Sequence, residues 1–406
     1  MESGIGICDI LNSSIKETAM KLFVHRISLL LAILLFAACA PKLEPIVLLS
    51  AHSGETVAIN DDVISSYLDL PVSDSLAFLT ESSYQKTGVA HDGQEIVLSW
   101  EGGEAPYVVQ VGHSPELSDA EEWTTSKTRQ PVGILVPDTD YWWRVADAKG
   151  NVSECGSFRT GTGVRIISAR KTLKADGVRN VRDLGGKSTT DGRTIRYGLL
   201  YRGGLLTFNG SVYGKNVIDD FGLDMLNRLQ IRTELDLRND QDVGGQKTSP
   251  LNTCAYERYT FSGYTSIFPD AVWFDERTPG SLRSIFSLLA KEENYPVYFH
   301  CLIGQDRTGT LAYLLLGLAG VSYDDILRDY ELTAFSPVGN MNRKSPFVFS
   351  GETSVRQDAA FEAMHERMLR YTENGILSDA VANYLISECD ITQEQIDSIR
   401  SILLTD

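Results

Sequence analysis

The sequence predicts an α/β domain with a central, largely parallel sheet flanked by helices, preceded by an all-β sandwich. Three observations carry this. Short runs between about 90 and 161 alternate apolar and polar residues with period two. Beyond residue 163 strand-like runs alternate with segments of helical period, which is the pattern of a parallel sheet with crossover helices. Between the two lies a glycine-rich joint, "GTGVR".

The chain has 406 residues, enough for two or three domains. At the N-terminus, "MKLFVHRISLLLAILLFAACAPK" starts at Met20. Lys21, His25 and Arg26 form a basic region, and Ile27 to Ala38 an apolar run too short for a comfortable bilayer span. Small residues then lead to Cys39, and the whole resembles a lipoprotein signal with Phe36 where that pattern usually has Leu. The resemblance implies export, lipidation of Cys39, and a bilayer as partner through an N-terminal anchor in the periplasm or at the cell surface. Residues 1–39 are thus read as upstream sequence plus signal, with Met20 as a second candidate start. Residues 40–88 carry no motif and stay an unassigned spacer, with one short helix expected in "DDVISSYLDL".

Residues 89–162 supply the β-sandwich. "EIVLSW" places Ile96, Leu98 and Trp100 on one face, "YVVQV" places Tyr107, Val109 and Val111, and "YWWRV" places Tyr141, Trp143 and Val145. The turn-rich stretches "EGGEAP", "VPDTD" and "AKGN" separate them. The order of the tryptophans and of the late Tyr-x-Trp resembles a fibronectin type III domain, which implies a spacing or binding role. Residues 163–406 form the α/β unit. "TELDLR" reads as a strand, Leu282, Ile285, Phe286 and Leu289 as a helix started by Pro279, "YPVYFH" as a buried strand, and "TLAYLLLGLAG" as an apolar helix. "SDAVANYLISECDITQEQIDSIRSILL" reads as two further amphipathic helices.

The formal charge of −17 is offset by no basic stripe, which excludes nucleic acid as a partner. Six cysteines, at 8, 39, 155, 254, 301 and 389, are spaced widely and irregularly, so neither a disulfide framework nor a metal cluster is indicated. No cofactor motif is evident.

The chemistry concentrates in "HCLIGQDRTG", His300 to Gly309. A strand ending at His300–Cys301, a tight loop and a following helix make an anion cradle. Successive loop N–H groups and the helix dipole both favour negative charge. Leu302, Ile303, Gly304, Gln305, Asp306 and Arg307 would line it around a phosphate or sulfate. Cys301 at its base would ionise readily and act as nucleophile on phosphorus. Arg307 has the planar fork that fits two phosphoryl oxygens. Thr308 is placed to hydrogen-bond the sulfur, and His300 to orient the loop. The phosphorylated substrate would be a protein or a small monoester.

His-Cys-x-x-Gly-x-x-Arg-Thr-Gly resembles the signature of cysteine-dependent tyrosine phosphatases. "RNVRDLGG" (Arg179 to Gly186), followed by "LLYRGGLL" and "TELDLRND", resembles a bacterial branch of them over residues 163–406. The resemblance implies hydrolysis of phosphotyrosine, and in some members of phosphoserine, phosphothreonine or phosphoinositides. Asn180, Arg182 and Asp183 then read as a turn bracing the site. The branch usually has Lys where this chain has Gln305, which weakens polyphosphorylated lipids as substrates. An inositol phosphate or phosphoinositide phosphatase and a non-catalytic binding lipoprotein are the competing readings.

Protonation of the leaving oxygen calls for a carboxylic acid. Asp306 inside the loop is the first candidate, Asp270 in "FPD" the second, and Asp275 the third.

Overall fold

The computed structural model describes residues 45–80, 96–167, 178, 180–207, 218, 220–243, 245–336, 342–345, 347–348, 355–356 and 360–406. The signal-like segment with Cys39 and Arg179 of the bracing turn lie outside them.

The N-terminal β region has two sheets. One has the order β1-β3-β6, with β1 Val47–Leu48, β3 Ile96–Glu101 and β6 Arg129–Val132, all antiparallel. The other has the order β2-β8-β7-β4-β5, with β2 Ser53–Val57, β4 Tyr107–Gly112, β5 Glu121–Thr125, β7 Asp140–Ala146 and β8 Gly156–Thr160. The alternating faces read from the sequence are the buried ones, and Leu98, Trp100, Val109, Trp143 and Val145 share one core. The segment left unassigned by its sequence is structured. Residues 47–57 add a strand to each sheet, so the β region starts well before residue 89. Next come helix α1 (Asp62–Asp69), where helix was expected, and α2 (Val72–Thr80). Asp61 caps α1 by accepting from the N–H groups of Val63 and Ile64.

The C-terminal unit is built on a five-stranded sheet, order β12-β11-β13-β10-β9. Its strands are β9 Arg182–Asp183, β10 Leu200–Gly203, β11 Thr233–Asp236, β12 Ala255–Arg258 and β13 Val297–His300. Pairs β10/β13, β11/β13 and β11/β12 are parallel, and β9/β10 antiparallel. Every residue of the central strand β13 is buried, which explains its unbroken apolar run. Helices are α3 Asp220–Arg228, α4 Asp240–Val243, α5 Thr278–Leu289, α6 Asp306–Leu318, α7 Tyr323–Glu331, α8 Phe361–Met368, α9 Leu377–Cys389 and α10 Gln393–Leu403. Helix α6 is apolar almost all round because its neighbours enclose it from Thr308 to Leu318. Among the described residues no helix is long and apolar enough to cross a membrane.

The site follows from this topology. Parallel strands end on the same edge of a sheet, and the loop between β13 and α6 leaves that edge at Cys301.

Candidate active site

Cys301 is 1% exposed at the end of β13. The loop after it is held from outside through its carbonyls. The Cys301 carbonyl lies 3.0 Å from His300 Nδ1. That of Leu302 accepts from the Leu205 N–H at 3.3 Å. That of Gly304 accepts from Asn180 Nδ2 at 2.9 Å and from an Arg202 terminal nitrogen at 2.8 Å. In a trans peptide the carbonyl and the next N–H point opposite ways. Outward carbonyls at 301, 302 and 304 therefore turn the N–H groups of Leu302, Ile303 and Gln305 toward the other side of the loop. Gly304 has φ +76°, and a Cβ there would stand 2.5 Å from the Gly203 backbone, so the loop closes only with glycine.

Burial pushes the Cys301 thiol up, but Arg307 and Thr308 outweigh it and hold the thiol below its ordinary value, against an opposing push from Asp306. The Thr308 hydroxyl is buried with no hydrogen-bond partner among the described residues. Arg307 is partly buried. Its terminal nitrogens donate to the Leu237 carbonyl at 3.1 Å and to Asp242 Oδ2 at 3.2 Å, so α4 sets the direction of the guanidinium.

Asp306 opens α6. Desolvation raises its carboxyl above the usual carboxylate range despite the Tyr264 hydrogen bond and the Arg307 charge. Asp270 is not brought to the loop. It is exposed on the surface, 3.6 Å from both Arg367 and Arg370, because the "FPD" turn faces α8 and the segment after it. Asp275 is paired with Arg277 at 2.8 Å. Burial raises its carboxyl, but hydrogen bonds from Arg277 bring it below the normal range, which keeps it ionised. Of the three acids, only Asp306 lies on the loop and has its carboxyl raised above the usual range.

His300 is buried between carboxylates, with Nε2 3.0 Å from Glu234 Oε1 and Nδ1 4.0 Å from Asp236 Oδ1. Burial lowers its pKa, but Asp236 and Glu234 outweigh burial and raise it above the ordinary histidine value, and its Nδ1 lies against the Cys301 carbonyl at the base of the loop. Gln305 is also buried, its amide 3.5 Å from the Tyr264 hydroxyl, so it offers no charge to a second phosphate.

Asn180 takes a left-handed conformation, φ +61°, to reach the Gly304 carbonyl. Arg182 is buried, donating to Asp329 Oδ1 at 2.9 Å and to Asn180 Oδ1 at 2.5 Å. Asp183 lies behind them, paired with Arg165 at 2.9 Å and accepting from the N–H groups of Gly185 and Gly198. Asn180 thus touches the loop directly and Arg182 touches it through Asn180, while Asp183 bonds its own turn and Arg165.

Residues 173–405 match the model of a tyrosine phosphatase family. The chain belongs to the tyrosine phosphatase family. Two relatives of this phosphatase-family chain agree. A protein of Cupriavidus necator, provisionally named a tyrosine-protein phosphatase, is 29% identical over 178 residues, 40% of this chain and 63% of the relative. A tyrosine-protein phosphatase of Nostoc commune is 29% identical over 136 residues, 29% of this chain and 45% of the relative. The chain therefore spans less than two thirds of the length of either.

Four supporting groups of this tyrosine phosphatase domain escaped the sequence reading: Arg202, Asp329, Glu234 and Tyr264. Arg202 lies in "LLYRGGLL" and Glu234 in "TELDLRND", so the resemblance flagged their segments without assigning them a role. Asp329 and Tyr264 carry no local signal at all. Among the described residues no group of His, Cys, Asp and Glu side chains is arranged to hold a metal ion.

Proposed function

We propose that this chain hydrolyses phosphotyrosine monoesters through a cysteinyl-phosphate. The reading rests on one arrangement: Cys301 ends β13 at a loop whose carbonyls at 301, 302 and 304 are held from outside, and Asp306 and Arg307 open the helix that follows. The Cys301 thiolate attacks phosphorus, forming the S–P bond as the ester P–O bond breaks. Asp306 gives its proton to the leaving oxygen. Water then attacks the cysteinyl-phosphate, Asp306 takes a proton from it, and inorganic phosphate leaves with regeneration of the thiolate. Arg307 and the loop N–H groups hold the three equatorial oxygens throughout. The buried, uncharged Gln305 supports a single-phosphate substrate over a polyphosphorylated one.

The test is a panel of phosphotyrosine peptide, phosphoserine peptide and inositol hexakisphosphate, run with the parent chain and Cys301→Ser. Phosphate release from the tyrosyl peptide, lost in the variant, is expected. Turnover only on inositol hexakisphosphate, or turnover indifferent to Cys301, would sink the reading.

We further propose that the protein is exported and lipid-anchored at Cys39, and that residues 89–162, together with the strands before them, form a fibronectin type III-like sandwich acting as a spacer. The basic-apolar-small pattern before Cys39 and the shared core of the two sheets support this. Mass spectrometry of the mature N-terminus would decide the first point, an unmodified Cys39 overturning it.

A further inference from the structure

We propose that Asp329, on α7, is a positioning residue for catalysis that sets the phosphate-binding loop through Arg182 and Arg202. The inference deepens the phosphatase reading and rests on it.

The Gly304 carbonyl is the point at which the loop is held hardest. Its position is tightly constrained, since Gly304 sits against the backbone of Gly203 and Gly204. Two side chains donate to it, Asn180 and Arg202. Both trace back to one carboxylate. Arg202 donates to Asp329 Oδ2 at 2.5 Å while its other terminal nitrogen reaches Gly304. Asn180 is gripped by Arg182, which itself donates to Asp329 Oδ1 and, at 2.5 Å, to the Asp329 carbonyl. Asn180 Nδ2 also reaches Thr333 Oγ1 at 3.2 Å, just past the end of α7. Lys187 adds a third cation, 3.7 Å from Asp329 Oδ1.

Asp329 and the two arginines lie inside the protein, and Lys187 is half-buried beside them. Asp329 is 2% exposed, and Arg182 and Arg202 are no more accessible. In so dry a place an arginine fork without its carboxylate does not keep its orientation. The Gly304 carbonyl decides which way the Gln305 N–H points, so a slack fork becomes a slack cradle around the phosphoryl oxygens.

A mere charge effect of Asp329 would have the opposite sign. The groups that act most strongly on the Cys301 sulfur are Arg307, Asp306 and Thr308. Removing a distant negative charge would by itself ease ionisation of Cys301 and tighten oxyanion binding. Loosening the cradle does the reverse. The two roles therefore separate cleanly.

The test uses the full chain with Asp329→Asn and Arg202→Lys. Alkylation of Cys301 against pH, followed by mass spectrometry of its peptide, gives the thiol midpoint. Vanadate inhibition gives oxyanion affinity, and kcat and KM are read on a phosphotyrosine peptide. For both variants the midpoint is expected to rise, vanadate to bind about tenfold more weakly or worse, and kcat to fall up to about a hundredfold, the scale of a small misplacement at a reacting centre. Arg202→Lys keeps the local charge, so it carries the test if Asp329→Asn fails to fold. A midpoint that stays or falls, with vanadate affinity kept or improved, overturns the proposal. A parent thiol titrating like free cysteine would instead defeat the phosphatase reading itself.

Discussion

The Tyr264 hydroxyl donates a 2.8 Å hydrogen bond to Asp306 Oδ1 and stands 2.7 Å from the Tyr330 hydroxyl. A bond to the carboxylate favours the ionised form, so Tyr264 restrains a pKa that burial pushes up. Asp306 must be protonated to serve as acid, and its ionisation sets the basic limb of the rate profile. Tyr264→Phe should therefore move that limb to higher pH. It should also lower the maximum, because the carboxyl loses its support. Measuring kcat against pH checks this; a basic limb that moves down or stays would contradict the assignment.

Asp306 and Asp270 make opposite forecasts for leaving groups. Asp306→Asn should cost about a hundredfold or more in kcat on esters of poor leaving groups, the usual scale of general acid catalysis. On a nitrophenyl ester the loss should be small. Asp270→Asn, an exposed residue paired with Arg367 and Arg370, should stay near parental values on both. A large, leaving-group-dependent loss in the Asp270 variant would reverse the choice.

The buried charges under the loop should show in stability against pH. The pKa of His300 is raised in the folded chain, so its contribution is full below the unfolded value near 6.5 and fades as pH rises through the folded value. Asp236, buried beside His300 and Arg238, is lowered to about 2, so its contribution is full above the unfolded value of 3.8 and is lost as pH falls toward 2. The melting temperature is expected to plateau between these two windows. His300→Asn should flatten the upper slope and, because His300 is among the charges that hold Asp236 down, weaken the acid slope as well. A variant whose upper slope matched the parent would show that another group titrates there.

How much of this was legible in the sequence depends on chain distance. Cys301, Gly304, Arg307 and Thr308 lie within eight consecutive residues, so strand, loop and helix could be read as one device. Val109, Trp143 and Val145 were legible because a strand repeats every two residues and burial follows that period. Asp329 was not, since it meets Arg202 across 127 positions and α7 reads simply as an amphipathic helix. Asp270 misled for the converse reason. A proline-aspartate turn looks the same in sequence whether it faces a site or, as here, a pair of surface arginines. Residues 47–57 are short, mostly exposed strands whose partners come from the later part of the β region, so their pattern was too weak to read alone.

The last expectation concerns where the catalytic unit begins. Sequence reading placed its start at residue 163, yet α1 and α2 are docked on α7, the helix that carries Asp329. The Arg328 guanidinium donates to the carbonyls of Tyr67, Leu68 and Leu70, capping the C-terminal end of α1. The Tyr67 hydroxyl donates to buried Glu331 at 3.0 Å, and Ser75 and Arg343 close the same carboxylate. Ile64, Tyr67 and Leu79 pack with Leu332, Ala334 and Phe335 just beyond α7. A chain starting at residue 163 would expose that apolar surface and leave Arg328 and Glu331 short of partners. It should melt lower than the full chain and lose activity at temperatures where the full chain is still folded. Tyr67→Phe, which removes one hydrogen bond to a buried carboxylate, should cost about 1 to 3 kcal/mol. Denaturant melts of both, with phosphatase assays alongside, make the comparison. A shortened chain as stable and active as the parent would show that α7 holds its place without the N-terminal helices.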